Sequence, residues 1–180
     1  MTRSTQLGTA AFAAFLACIP LANWMIQHIG TVCVPNGPCL LPVAPGLMAP
    51  SGVLTVGVAL VLRDVVQRCL GLRFGLAAIA LGTLLSALVA PASLVVASGV
   101  AFALSELVDF AVYTPLQRRR LMTAVLASSL VGLVVDSVVF LSLAFHSLEF
   151  LPGQIVGKVW AVLIAIPLVR LVRRVAPTPA

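Results

Sequence analysis

Charge is scarce in this chain of 180 residues. Asp, Glu, Lys and Arg make up 9% of it, against roughly 25% in a soluble globular domain. Lysine and tyrosine occur once each, tryptophan and histidine twice each. So little charge excludes a disordered chain, which needs low hydrophobicity and high net charge. It also excludes a soluble enzyme or a nucleic-acid module. With 61% hydrophobic residues and a mean hydropathy of +1.16, too little polar surface remains to cover a fold in water. His28 and His146 offer no metal-ligand spacing, and there is no phosphate loop or nucleophile elbow. The chain therefore reads as an integral membrane protein that is not an enzyme, with no metal and no cofactor expected. The net charge of +6 does not point to nucleic acid, because the basic residues sit at the ends of apolar runs rather than along one groove.

What the chain has in abundance is long apolar runs. A hydrocarbon core of about 30 Å needs about 20 mostly apolar residues per helix. That ruler predicts an all-α integral membrane protein. It is a single transmembrane domain with six helices at about 7–29, 51–72, 74–90, 94–115, 121–146 and 151–172. The breaks are chemical: the Pro- and Gly-dense stretch 30–50, Gly71-Leu72-Arg73, the turn Pro91-Ala92-Ser93, Gln117 to Arg120, and Ser147 to Gly153. The first run is longer than the roughly 7–15-residue apolar segment of a signal peptide, so it reads as a span. With the amino terminus in the cytoplasm, Arg3, Arg68, Arg73, Arg118, Arg119, Arg120, Arg170, Arg173 and Arg174 all fall inside, and the outer loops carry no Lys or Arg. Both termini are expected to be cytoplasmic.

Cys18 and Cys69 lie in spans and read as packing residues. Cys33 and Cys39 flank Pro35-Asn36-Gly37-Pro38 in an outer loop. A turn there would allow a disulfide; the alternative is two free thiols. The loop 30–50 itself reads either as a semi-rigid lid over a pocket or as a plain connector.

The informative residues are the charges inside the spans: Arg63, Asp64, Glu106, Asp109, Asp136 and Lys158. A charge at mid-bilayer costs roughly 2.5–3.5 kcal/mol even on the lenient insertion scale. Two cations against four anions leave a formal charge of minus two, which protons, water or a ligand must meet. Glu106, Asp109 and Tyr113 share a helical face by i, i+3, i+7 spacing, with Phe102 one turn above. Asp136 shares its face with Ser129 and Gly132, small residues that suit close helix packing or leave room for a flat ligand. Asn23 and Gln27 are i, i+4 apart beside Trp24. These residues, with Lys158 and Arg63, form the candidate binding set. Structural alternatives stand beside them. Asp64 and Arg68 read as an intrahelical or gating pair. Arg63 reads as a partner of Asp109 or Asp136. Trp24, Trp160 and Tyr113 read as interfacial belt residues. A carboxylate accepts two parallel hydrogen bonds from a guanidine-like edge, and aromatic faces stack on planar rings. The residues thus suit a small planar polar solute, a purine-like base or another cationic or amide-rich compound.

Several segments in order carry a family resemblance. Ser51-Gly52-Val53 leads to Leu62-Arg63-Asp64-Val65-Val66-Gln67-Arg68-Cys69-Leu70-Gly71. Then follow Ser105-Glu106-Leu107-Val108-Asp109-Phe110-Ala111-Val112-Tyr113, Ser128-Ser129-Leu130-Val131-Gly132-Leu133-Val134-Val135-Asp136-Ser137, and Lys158. Together they resemble the VUT family of vitamin-uptake-like transporters. The resemblance implies a fold like the substrate-binding subunits of energy-coupling-factor transporters. It also implies import of queuosine precursors, 7-deazaguanine bases such as preQ0 and preQ1, across a bacterial inner membrane. On this resemblance Asp109 and Asp136 match the family's membrane acids and Lys158 its basic residue in the last span. Asp64 and Arg68 match its second-span motif, and Asn23 with Gln27 its first-span polar pair. Glu106 departs, standing where some members have an amide, and Leu133 stands where a polar residue is expected. Two other readings remain open. One is a substrate-binding subunit serving a shared ATPase module, docked through Ala10-x-x-x-Ala14 and Ala13-x-x-x-Ala17, a pattern that is also generic helix packing. The other is a non-transport receptor or scaffold. The expected partners are the solute and the lipid bilayer. Oligomeric state and any ATPase partner are not legible.

Overall fold

The computed structural model describes residues 2–35, 37–90 and 94–176. The expected turn at Pro91-Ala92-Ser93 and the residue Asn36 lie outside the described residues. Six α-helices are described: α1 (Arg3–His28), α2 (Val53–Leu70), α3 (Leu72–Val89), α4 (Val95–Leu116), α5 (Leu121–Phe145) and α6 (Leu151–Val175). Their ends follow local chemistry. The Thr2 hydroxyl accepts a hydrogen bond from the Thr5 N–H and caps α1. Gly71 adopts φ 96°, a value that favours glycine, and its N–H closes on the Gln67 carbonyl, so α2 stops and α3 starts with no loop between them. Pro152 lies in the first turn of α6, where its missing N–H is not needed.

Five helices, α1 and α3 to α6, are long and apolar enough to cross a membrane. α2 is different. It carries Arg63, Asp64 and Arg68 within 18 residues, yet every residue from Ala59 to Cys69 is buried. It packs against all five other helices. The charges that lipid would penalise are therefore placed in the helix that the bundle encloses. The outer helices show the converse, with Leu88 73% and Ile164 72% exposed on faces suited to lipid.

The segment 30–50 corrects the all-α expectation. It folds into three antiparallel strands in the order β1 (Val32–Cys33), β2 (Cys39–Ala44) and β3 (Leu47–Pro50). Cys33 and Cys39 face each other across β1 and β2 and are joined by a disulfide. The register slips between Pro42 and Ala44, as expected where a proline cannot donate to the ladder. The sheet contacts α1 and α6, and the Ser51 hydroxyl ties its end to the Met25 carbonyl at 2.7 Å. At the opposite end of the bundle, Arg68 donates to the carbonyls of Gln117 (2.8 Å) and Ala176 (3.0 Å). Arg118, Arg119, Arg120 and Arg173 surround it. The arginine-rich end and the sheet thus lie at opposite poles.

Candidate functional site

A partly open cavity lies in the half of the bundle nearer the sheet. Every helix contributes to its wall: Asn23 from α1, Leu60 from α2, Ser86 from α3, Phe102 and Glu106 from α4, Asp136 and Phe140 from α5, and Gln154 and Lys158 from α6. A mostly apolar wall with a few convergent polar groups is how small-molecule sites are commonly built.

Two ionic groups meet this cavity. In the first, the ammonium of Lys158 donates to Asp136 Oδ2 at 2.5 Å, Ser137 Oγ at 2.8 Å and Gln154 Oε1 at 2.9 Å. Three N–H donors meet three acceptors, and the pair is neutral. The second is centred on Arg63, which is fully buried. Its Nε donates to Glu106 Oε2 at 3.0 Å and its Nη2 to Asp109. Its Nη1 lies 3.0 Å from Asp64 Oδ1 and 3.1 Å from Gln67 Oε1. The rings of Phe110 and Tyr113 each lie with centroids 5.6 Å from the guanidinium carbon. Gln67 is held in turn by Thr114 at 3.0 Å, and Ser128 donates to Asp64 Oδ2 at 3.2 Å. Gly132 lets α5 close on this cluster, since a Cβ there would stand 3.0 Å from Asp109 Cβ.

The charges are unevenly divided. Lys158 and Asp136 cancel, while Arg63 faces three carboxyl groups. The whole formal excess of minus two within the bundle therefore sits around Arg63. Of its three acids, Glu106 alone lines the cavity. Arg63 and Asp109 lie one helical turn further toward the arginine-rich end and form the layer beneath the cavity floor.

The structure places the expected residues as follows. Glu106, Asp136, Lys158, Asn23 and Phe102 come together around the cavity. Arg63, Asp109 and Tyr113 come together beneath it. Trp24 and Gln27 do not join either group. The cavity stripe of α1 is Ile19, Ala22, Asn23 and Ile26, and a step of 100° per residue carries Trp24 onto the outer face. Trp24 is 49% exposed and stacks on His28 at 5.2 Å, while exposed Gln27 bonds back to the Asn23 carbonyl. Tyr113 is no belt residue, being fully buried against Arg63. Asp64 does not pair with Arg68. It turns to Arg63 and Ser128, which reach it inside the bundle, while Arg68 is drawn to the carbonyls at the helix ends. Asp136 is engaged by Lys158, so Arg63 is left to Asp109 and Glu106. Gln67, Gln154, Ser128 and Ser137 are site residues that sequence reasoning missed. A signal existed for the two amides: each lies four residues from a buried cation on its own helix.

Residues 86–172 match the family described as "Putative vitamin uptake transporter". Through this segment, just under half of the chain, the protein is similar to that family. The match runs from the last turn of α3 through α6 and includes Glu106, Asp109, Asp136 and Lys158. No curated protein matches the chain, and no solved structure matches it. Five helices long and apolar enough to cross a membrane fit a multi-pass helical membrane protein, and the matched segment fits one that handles a small-molecule solute.

Proposed function

We propose that this chain is a vitamin-uptake-type transporter that imports a planar, donor-rich base of the 7-deazaguanine class, such as preQ0 or preQ1, through the cavity between its six helices. One observation carries this reading: Glu106, the one acid of the Arg63 cluster at the cavity wall, lies there beside the ring of Phe102. A base of this class carries N–H donors, and in preQ1 also a cationic amine, that a carboxyl group at the wall can meet. Phe102 and Phe140 supply apolar faces for the ring. The amides of Asn23 and Gln154 meet its remaining polar edge, and the Lys158–Asp136 pair sets the opposite wall. The arginine-rich pole faces the cytoplasm of a bacterial cell, all six helices span the inner membrane, and the sheet covers the outer mouth. The Arg63 layer then closes the inner route, and import requires that layer to part. The fold is of the type used by substrate-binding subunits of energy-coupling-factor transporters.

Uptake of labelled preQ1 into cells that cannot make queuosine tests the assignment. Wild type restores uptake, and Glu106→Gln and Asp136→Asn each lower it at least about tenfold, the loss of one charge-assisted hydrogen bond. Wild-type uptake by both variants contradicts the site.

A second reading, a subunit that docks on a shared ATPase module, has one observation in its favour. Ala10, Ala13, Ala14 and Ala17 are all exposed on α1 and do not pack within the bundle. Small residues on an outward face permit close approach of another helix. ATPase subunits that co-purify with the wild type, and are lost when Ala13 and Ala14 are both changed to Leu, support it.

A further inference from the structure

Asp64 and Asp109 raise a problem of hydrogen-bond supply. Both side chains are fully buried. Each keeps an oxygen with no hydrogen-bond donor among the described residues, Asp64 Oδ1 and Asp109 Oδ2, although Arg63 supplies charge to both groups. The two carboxyl groups lie against the two neighbouring terminal nitrogens of one guanidinium, Asp64 at Nη1 and Asp109 at Nη2 of Arg63. Two carboxylates have only acceptors, so they can bond only if a proton lies between them. With that proton, Arg63 and the Asp64–Asp109 pair sum to zero. The state of the cluster then depends on Glu106. When ionised, Glu106 leaves one buried negative charge without a counter-charge, an expensive arrangement in a membrane.

The groups around Glu106 leave little else to cancel that charge. α2 presents Arg63, already shared with the two aspartates. α4 itself presents Asp109, and α5 presents Asp136, which is matched by Lys158 of α6. α1 brings the thiol of Cys18 and the amide of Asn23 to the same cavity, and α3 brings Ser86. Tyr113 lies beneath with a buried hydroxyl that has no hydrogen-bond partner among the described residues.

We propose that the Arg63–Asp64–Asp109–Glu106 cluster is a proton-binding site, with one proton held between Asp64 and Asp109 and a second on Glu106 that is exchanged for the positive charge of an arriving solute. In the exchange the O–H bond of Glu106 breaks and its proton passes to solvent in the cavity. The carboxylate then takes a hydrogen bond from the cationic group of the solute. The cluster is neutral before and after, so the buried layer never carries a bare charge. The aspartate-held proton stays, because neither aspartate lines the cavity.

The exchange step rests on the solute class proposed above; the proton site does not. Infrared spectra of the purified full chain in detergent at neutral pH test the site without any ligand. The expected result is a protonated-carboxyl band that loses one part in Glu106→Gln and another in Asp64→Asn or, if that variant does not fold, in Asp109→Asn. A wild-type spectrum without such a band overturns the proposal, as does a band that these substitutions leave unchanged. The exchange is read with a pH-indicator dye in weak buffer. Amine-bearing preQ1 is expected to release about one proton per molecule bound by the wild type and none from Glu106→Gln, while uncharged preQ0 releases none. Binding of preQ1 without proton release overturns the exchange. Failure of both bases to bind defeats the substrate reading instead, and the infrared result alone then decides the site.

Discussion

Arg63 has five N–H donors in a planar fork; it donates to three side chains, Gln67, Glu106 and Asp109, and forms an ion pair with Asp64. Lysine keeps the charge but loses the fork. Arg63→Lys is therefore expected to leave at least one carboxyl group short of its donor and to destabilise the protein by about 1–3 kcal/mol. Arg173→Lys, at the arginine-rich end, is expected to change stability by less than about 0.5 kcal/mol. Thermal unfolding in detergent compares the two; equal effects contradict the role given to the fork. At this scale the sequence was a good guide to which charges are buried and a poor one to their pairing. All six charges inside the spans are buried, as their cost in lipid suggested. Helical spacing offered Asp64–Arg68, but spacing along one helix says nothing of Arg63 and Ser128, which reach Asp64 first. Which helix stands opposite which is decided by packing of the whole bundle.

The helices were legible because each run of about 20 apolar residues answers one physical demand, the thickness of the bilayer. α2 kept its place among them despite its charges, since its neighbours replace lipid around it. The strands were not legible. Residues 32–50 contain five prolines and no clean alternation, and two of those prolines lie within strands. What organises the segment is non-local: the Cys33–Cys39 link and the ends of α1 and α6 beneath it. The disulfide can be counted directly. Denatured, unreduced protein is expected to label at two thiols, Cys18 and Cys69, and at four after reduction. Four labels before reduction contradict the link. On the chain-entropy estimate, a loop this short gains about 2 kcal/mol from its closure.

Across the whole molecule, charge marks three levels. Arginines gather at one pole, the disulfide-linked sheet lies at the other, and between them a neutral Lys158–Asp136 pair and an acid-rich Arg63 layer frame the cavity. That order suits a carrier whose solute enters from the sheet side, rests on Glu106 and passes when the layer below yields. It assigns binding to the cavity and closure to the cluster beneath it. Ligand-dependent unfolding of the purified protein tests this division most directly, because a ligand that binds only the native state must stabilise it. The prediction is that preQ1 raises Tm with its concentration, by the equivalent of about 2.7 kcal/mol at a hundredfold excess over Kd. Glu106→Gln is predicted to fold and to lose most of that shift. No shift with preQ1 or preQ0, or an undiminished shift in Glu106→Gln, would contradict the account.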